Sequence, residues 1–130
     1  MYFCLVIFGS MAKQLIIATS VDLVRIAPDR IVYISSDGNY STLIQADGET
    51  RMLSFQLGQI EKMIASQLGP EGQQFIRIGK SLIINRSYIY YIHVAKQKLV
   101  LSDVRSFSHT VSASKEALKQ LKEYLEKEAK

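Results

Sequence analysis

The chain has 130 residues, 48% of them hydrophobic and 22% charged, with a formal net charge of +4 and a single cysteine, Cys4. That is enough chain for one domain to bury a core without staples, and the composition excludes a disulfide scaffold, a fibrous repeat and a disordered polymer. No apolar run approaches the roughly 18 residues needed to cross a bilayer, and a lone cysteine fits a reducing compartment.

The charge is unevenly placed. Residues 75–115 carry Arg77, Lys80, Arg86, Lys96, Lys98, Arg105 and Lys115 against Asp103 alone, a balance of +6. The rest of the chain has nine basic against eleven acidic residues, a balance of −2. A basic half of this kind suits an anionic polymer, with a solvated cationic face as the bland alternative.

In chain order, MYFCLVIFGS at the start is apolar but too short to span a membrane, and it lacks the positive flank of a secretory signal. Residues 1–12 read as an arm, or as residues ahead of a start at Met11; residues 13–130 read as the domain. Lys13 to Ile26 reads as strand, followed by a turn at Pro28-Asp29. Arg30 to Ser35 is a second strand, Ser36-Asp37-Gly38-Asn39 a turn, and Tyr40 to Gln45 the returning strand. Ala46-Asp47-Gly48-Glu49 then closes a hairpin toward Thr50 to Leu53. Leu57, Ile60, Met63, Ile64 and Leu68 recur at helical spacing, with Ser54 as the expected cap and Gly69-Pro70 as the stop.

The run FIRIGKSLIINRSYIYYI, Phe75 to Ile92, contains no acidic residue. Its strand-forming stretches are joined by Gly79-Lys80-Ser81 and Asn85-Arg86-Ser87, both turn-type. Lys, Arg, Ser and Asn at the bends of a sheet are donors that suit phosphate oxygens and base edges. Strand character continues through Ile89–Val94 and Lys98–Leu101 and more weakly through Val104 to Val111. From Ser114 the stripe Ala117, Leu118, Leu121, Tyr124 and Leu125 predicts a terminal helix. The expected fold is mainly β, with one internal and one C-terminal helix.

Nothing in the chain points to catalysis. His93 and His109 have no Cys, Asp or Glu at metal-ligand spacing, Asp103, His109 and Ser112 come without a nucleophile elbow, and the glycines match no phosphate-binding loop. No enzyme activity and no cofactor are expected.

Several motifs in colinear order resemble the LytTR DNA-binding domain, the output module of many bacterial response regulators in two-component systems. Arg30-Ile31-Val32-Tyr33-Ile34 is similar to that family's opening strand, and Asp37-Gly38-Asn39-Tyr40 to the turn after it. The spacing Phe75-x-Arg77-Ile78-x-x-Ser81-x-Ile83-x-Asn85 resembles the family hallmark, Tyr88 to Ile92 continues it, and Thr110-Val111-Ser112 resembles a late motif. The likeness runs over roughly residues 13–125. Where the family pattern has His-Arg this chain has Gly79-Lys80, and where it often has Arg after the late Ser this chain has Ala113.

The resemblance implies an elongated, mostly antiparallel β fold whose loops enter successive major grooves of double-stranded DNA and bend it. It implies a cytoplasmic bacterial transcription regulator without a receiver domain, acting at promoter repeats, with a second copy on DNA or a sensor or regulatory protein as further partners. The rival reading is a protein-interaction or antagonist module of the same fold with weakened DNA binding. The candidate DNA-contacting residues are Tyr40, Lys80, Ser81, Asn85, Arg86, Ser112, Ser114 and Lys115. Bland readings stand beside them: packing for Tyr40, backbone satisfaction for Ser81, turn shaping for Asn85, helix capping for Ser114 and a diffuse field for Arg86. Arg77, three positions from Lys80, falls on the opposite face unless Gly79 breaks the strand.

Overall fold

In the computed structural model, which describes residues 14–129, ten strands form three antiparallel sheets and two α-helices cover them. The expectation for residues 1–12 lies outside the described residues. The chain opens with a hairpin, β1 (Leu15–Ala18) and β2 (Leu23–Ile26), rather than the single strand expected over 13–26. The Thr19 hydroxyl accepts from the N–H groups of Val21 and Asp22, which reverses the chain at a point where apolar Val21 hides the turn.

β3 (Ile31–Asp37), β4 (Tyr40–Gln45), β5 (Thr50–Leu53), β6 (Phe75–Ile78) and β7 (Leu82–Asn85) make a central sheet in the order β5-β4-β3-β7-β6. A bulge in β3 sets Ile31 opposite Gln45 and Tyr33 opposite Ile44, leaving Val32 as the extra residue. It therefore places Ile31 and Ile34 on one face, Val32 and Tyr33 on the other. Ile31, Val32 and Ile34 are all fully buried, so this strand needs cover on both sides.

One face is covered by the β1–β2 hairpin and α1 (Leu57–Leu68), whose Leu57, Ile60, Ile64 and Leu68 pack on Ile31, Ile34, Leu43 and Ile83. Each such side chain contributes about 1.5–3 kcal/mol by leaving water. The helix begins two residues later than a Ser54 cap would place it: Gln56 is the cap, and its N–H donates to Gln59 Oε1 at 2.8 Å. Near the other end of α1, the Gln67 amide runs alongside β1, accepting from Ile16 N–H and donating to Ile16 O, both at 2.8 Å.

The opposite face meets a second sheet, β10 (Ser108–Ser112), β9 (Lys98–Ser102) and β8 (Ile89–His93), together with α2 (Lys115–Glu128). Leu99, Leu101, Leu118 and Leu121 fill the space against Val32, Ile44, Leu82 and Ile84. β8 carries a bulge of its own, so that Ile89 and Ile92 pack inward while Tyr90 and Tyr91 are exposed. The β9–β10 loop is organised by Asp103, whose carboxylate accepts from the N–H groups of Arg105, Ser106 and Phe107 and from the Ser106 hydroxyl. The Ser106 hydroxyl first, then these amides, holds the Asp103 carboxyl well below the usual carboxylate range. With the folded pKa depressed, the support Asp103 gives this loop is present above the ordinary carboxylate value and is lost only in stronger acid.

Val104 in that loop has φ +69, in the left-handed region that a β-branched side chain rarely adopts, and it is 70% exposed. Val104→Asn, which tolerates that region and forfeits little burial, is expected to raise unfolding stability by about 1 kcal/mol, read from the urea midpoint.

Candidate nucleic-acid interface

The pairing of β3 with β4 and β7 brings two turns to one end of the central sheet. The β3–β4 turn needs positive φ at Gly38 (+67), and the three-residue β6–β7 turn needs it at Gly79 (+60). Ser36 N–H donates to Ser81 O at 2.8 Å, joining the end of β3 to the β6–β7 turn. Gln56, at the N-terminus of α1, donates its side-chain amide to Asn39 Oδ1 at 3.3 Å. α2 begins at the same end, since Ile78 and Gly79 line a cavity with Ala117 from its first turn.

Six of the eight candidates lie toward that end of the fold. Lys80, Ser81 and Tyr40 are exposed on the two turns, Tyr40 at 48%. Ser112, Ser114 and Lys115 are exposed where β10 runs into α2. Ser114 caps the helix, its Oγ accepting from Ala117 N–H at 3.1 Å, so the bland reading of Ser114 holds; its hydroxyl hydrogen remains free to donate.

Asn85 and Arg86 lie at the other end of β7, and neither joins this surface. Asn85 is fully buried. Its Nδ2 donates to Ile31 O at 2.9 Å and Pro28 O at 3.3 Å, and its Oδ1 accepts from Ser87 N–H at 3.0 Å. The expectation of a phosphate contact at Asn85 is therefore corrected: the amide satisfies three interior backbone groups and has none left for a ligand. Arg86 pairs with Glu128, stacks with its guanidinium carbon 5.6 Å from the Tyr124 ring centroid, and so fastens the far end of α2.

Arg77 is also committed to structure. Its Nη1 reaches Glu61 of α1 at 2.8 Å, while Nε donates to Gly79 O at 3.2 Å and Nη2 approaches Lys80 O at 3.5 Å. Gly79 breaks the strand, so Arg77 and Lys80 are not bound by strict alternation; Arg77 braces the turn from within and Lys80 extends from its outside. Among the described residues, no carboxylate lies within ion-pair distance of Lys80, Lys96, Lys98, Arg105 or Lys115, unlike Arg77 and Arg86.

The field at this end is mixed, because Asp37 is exposed on the β3–β4 turn and Glu116 in the first turn of α2. Lys80 and Lys115 are matched in number by these two carboxylates, so it is the free N–H groups of the α2 N-terminus and the hydroxyls that favour an anion there. In sequence Asn39 reads only as a turn former, yet it is exposed at the tip, and its side-chain N–H groups donate to no protein group among the described residues. An amide beside an exposed tyrosine in a turn was the available signal. Among the described residues, no three His, Cys, Asp or Glu side chains converge as a metal site, and no helix is long and apolar enough to cross a membrane.

Arg77→Ala should therefore loosen the turn rather than remove a contact. Losing its brace to Gly79 O, a bond of net worth about 1 kcal/mol, should speed amide exchange at Lys80 and Ser81 by roughly 5- to 10-fold, read by native-state hydrogen exchange.

A model of the LytTr DNA-binding domain matches residues 22–126. Among solved structures, a LytTr DNA-binding domain from Bacillus cereus aligns with a TM-score of 0.58 at 18% identity, covering 87% of this chain and 96% of that one; at this identity the likeness speaks to the fold. No curated protein matches.

Proposed function

The chain belongs to the LytTr DNA-binding domain family, and from that premise we propose that it is a cytoplasmic bacterial transcription regulator that recognises promoter repeats in double-stranded DNA through the Lys80 end of the fold. The observation that carries this is the convergence of Lys80, Ser81, Tyr40, Ser112, Ser114 and Lys115, none of whose cations is paired with a carboxylate among the described residues. Asn39 joins them as a donor for base edges, since a side-chain amide pairs with adenine in the major groove.

The mechanism needs no chemistry. Lys80 and Lys115 neutralise phosphates, the α2 N-terminus and the serine hydroxyls fix the register, and Tyr40 and Asn39 meet base edges. Both hallmark-region arginines are turned inward, and a lysine lacks the planar fork that reads guanine. Affinity here rests mainly on charge, and discrimination rests on few base contacts plus the deformability of the duplex.

The same observation supports a second reading. With Gly79 bare on the proposed surface and Ala113 half-buried against the core at the β10–α2 junction, neither offering a polar side chain, the domain suits a protein-interaction or antagonist module with weakened DNA binding. A gel-shift assay at two salt concentrations separates them. The DNA reading expects a shift at low salt that weakens steeply as salt rises; absence of a shift at low salt overturns it in favour of the second. In that assay Lys80→Ala should lower the log–log salt slope by about 1, whereas Lys127→Ala, near the far end of α2, should leave it unchanged.

A further inference from the structure

We infer that the β8–β9 turn, with the row of side chains behind it, is an additional phosphate-contact surface continuous with the α2 N-terminus, and that Gln97 positions it. This rests on the DNA-binding reading above and extends the surface to a segment that the hallmark motifs do not include.

The register carries the argument. His93 pairs with Lys98, and Lys98 pairs with Ser112, so an imidazole, an ammonium and a hydroxyl stand side by side across β8, β9 and β10. Cross-strand neighbours of this kind are about 5 Å apart. Leu99 and Leu101 are fully buried, which turns Lys98 to the outer face of the sheet, where it is exposed. Lys96 is exposed at the tip of the turn. None of the residues that β8, β9 and β10 turn outward is acidic, and Asp103, the one carboxylate of this half, spends its oxygens on the β9–β10 loop at the other end of the sheet. A double helix meeting Ser114 and Lys115 thus has cations continuing on its flank with no carboxylate among them.

The turn is also held in register with that junction. Gln97 sits at φ +55. Its carbonyl accepts from Ala113 N–H and its Nε2 donates to Ala113 O, each at 3.4 Å, while Lys96 N–H donates to His93 Nδ1 at 3.2 Å. The 3.4 Å bonds are long, but they act as a pair on one residue and tie the turn to the start of α2, so a phosphate track crossing both meets a preset spacing.

The test uses the full chain and a mixed-sequence double-stranded oligonucleotide, with binding measured over a series of salt concentrations. Lys96→Ala combined with Lys98→Ala should lower the log–log slope by about 1.8, the yield of two lost phosphate contacts at about 0.9 each. Gln97→Gly keeps the positive φ while deleting the amide; it should lower the slope partway toward the double variant with an unchanged circular dichroism spectrum, which a merely structural role would not produce. If the double variant keeps the wild-type slope while Lys80→Ala lowers it, the inference is overturned and the DNA-binding reading stands. If the wild-type chain binds no duplex at low salt, both fall together.

Discussion

Burial of β3 on both faces is the constraint from which the rest of the architecture follows. A strand carrying Ile31, Val32 and Ile34 without exposure on either side requires two separate covers, and the bulge at Val32 divides its apolar residues between them. α1 with the β1–β2 hairpin supplies one cover, the second sheet with α2 the other. Because β4 and β7 flank β3 in antiparallel pairing, the turns leading into them have no choice but to emerge together. The pairing of the two turns in the candidate interface is thus a by-product of how the core is closed.

The division of labour among the cations is chemical. Arginine, with a planar fork and weaker hydration, tolerates partial burial and satisfies several acceptors at once. Arg77 bridges α1 and the Gly79 turn, and Arg86 clasps the last turn of α2. The lysines of the basic half, compact and strongly hydrated, are left exposed without carboxylate partners among the described residues, as is Arg105 in the β9–β10 loop. Of these exposed cations, Lys80 stands on the turn that Arg77 braces.

Much of this was legible in the chain. Apolar stretches bounded by Asp-Gly turns marked β3, β4 and β5, helical spacing marked α1 and α2, and the Phe75–Asn85 spacing marked the family and the basic hairpin. The β1–β2 hairpin was hidden because its turn contains an apolar residue, Val21, which is 89% exposed and kept the hydrophobic pattern running. The role of Asn85 was ambiguous because an asparagine at a bend serves phosphate or backbone equally well in sequence; only its burial between Pro28 and Ile31 decides. The arginine partners were beyond sequence reasoning for a simple reason. Glu61 is 16 residues from Arg77, and Glu128 is farther still from Arg86, so no local periodicity pairs them.

Gln67 has a consequence of a different kind. Its amide occupies the outer hydrogen-bonding groups of Ile16 as a neighbouring strand would, and β2 is the one strand paired with β1 among the described residues. A strand margin left open is a template for foreign chains. Here one side chain blunts it at Ile16, from the end of α1 opposite the candidate interface. A carboxylate at that site would keep the acceptor and repel the Ile16 carbonyl, baring half of the margin to self-association.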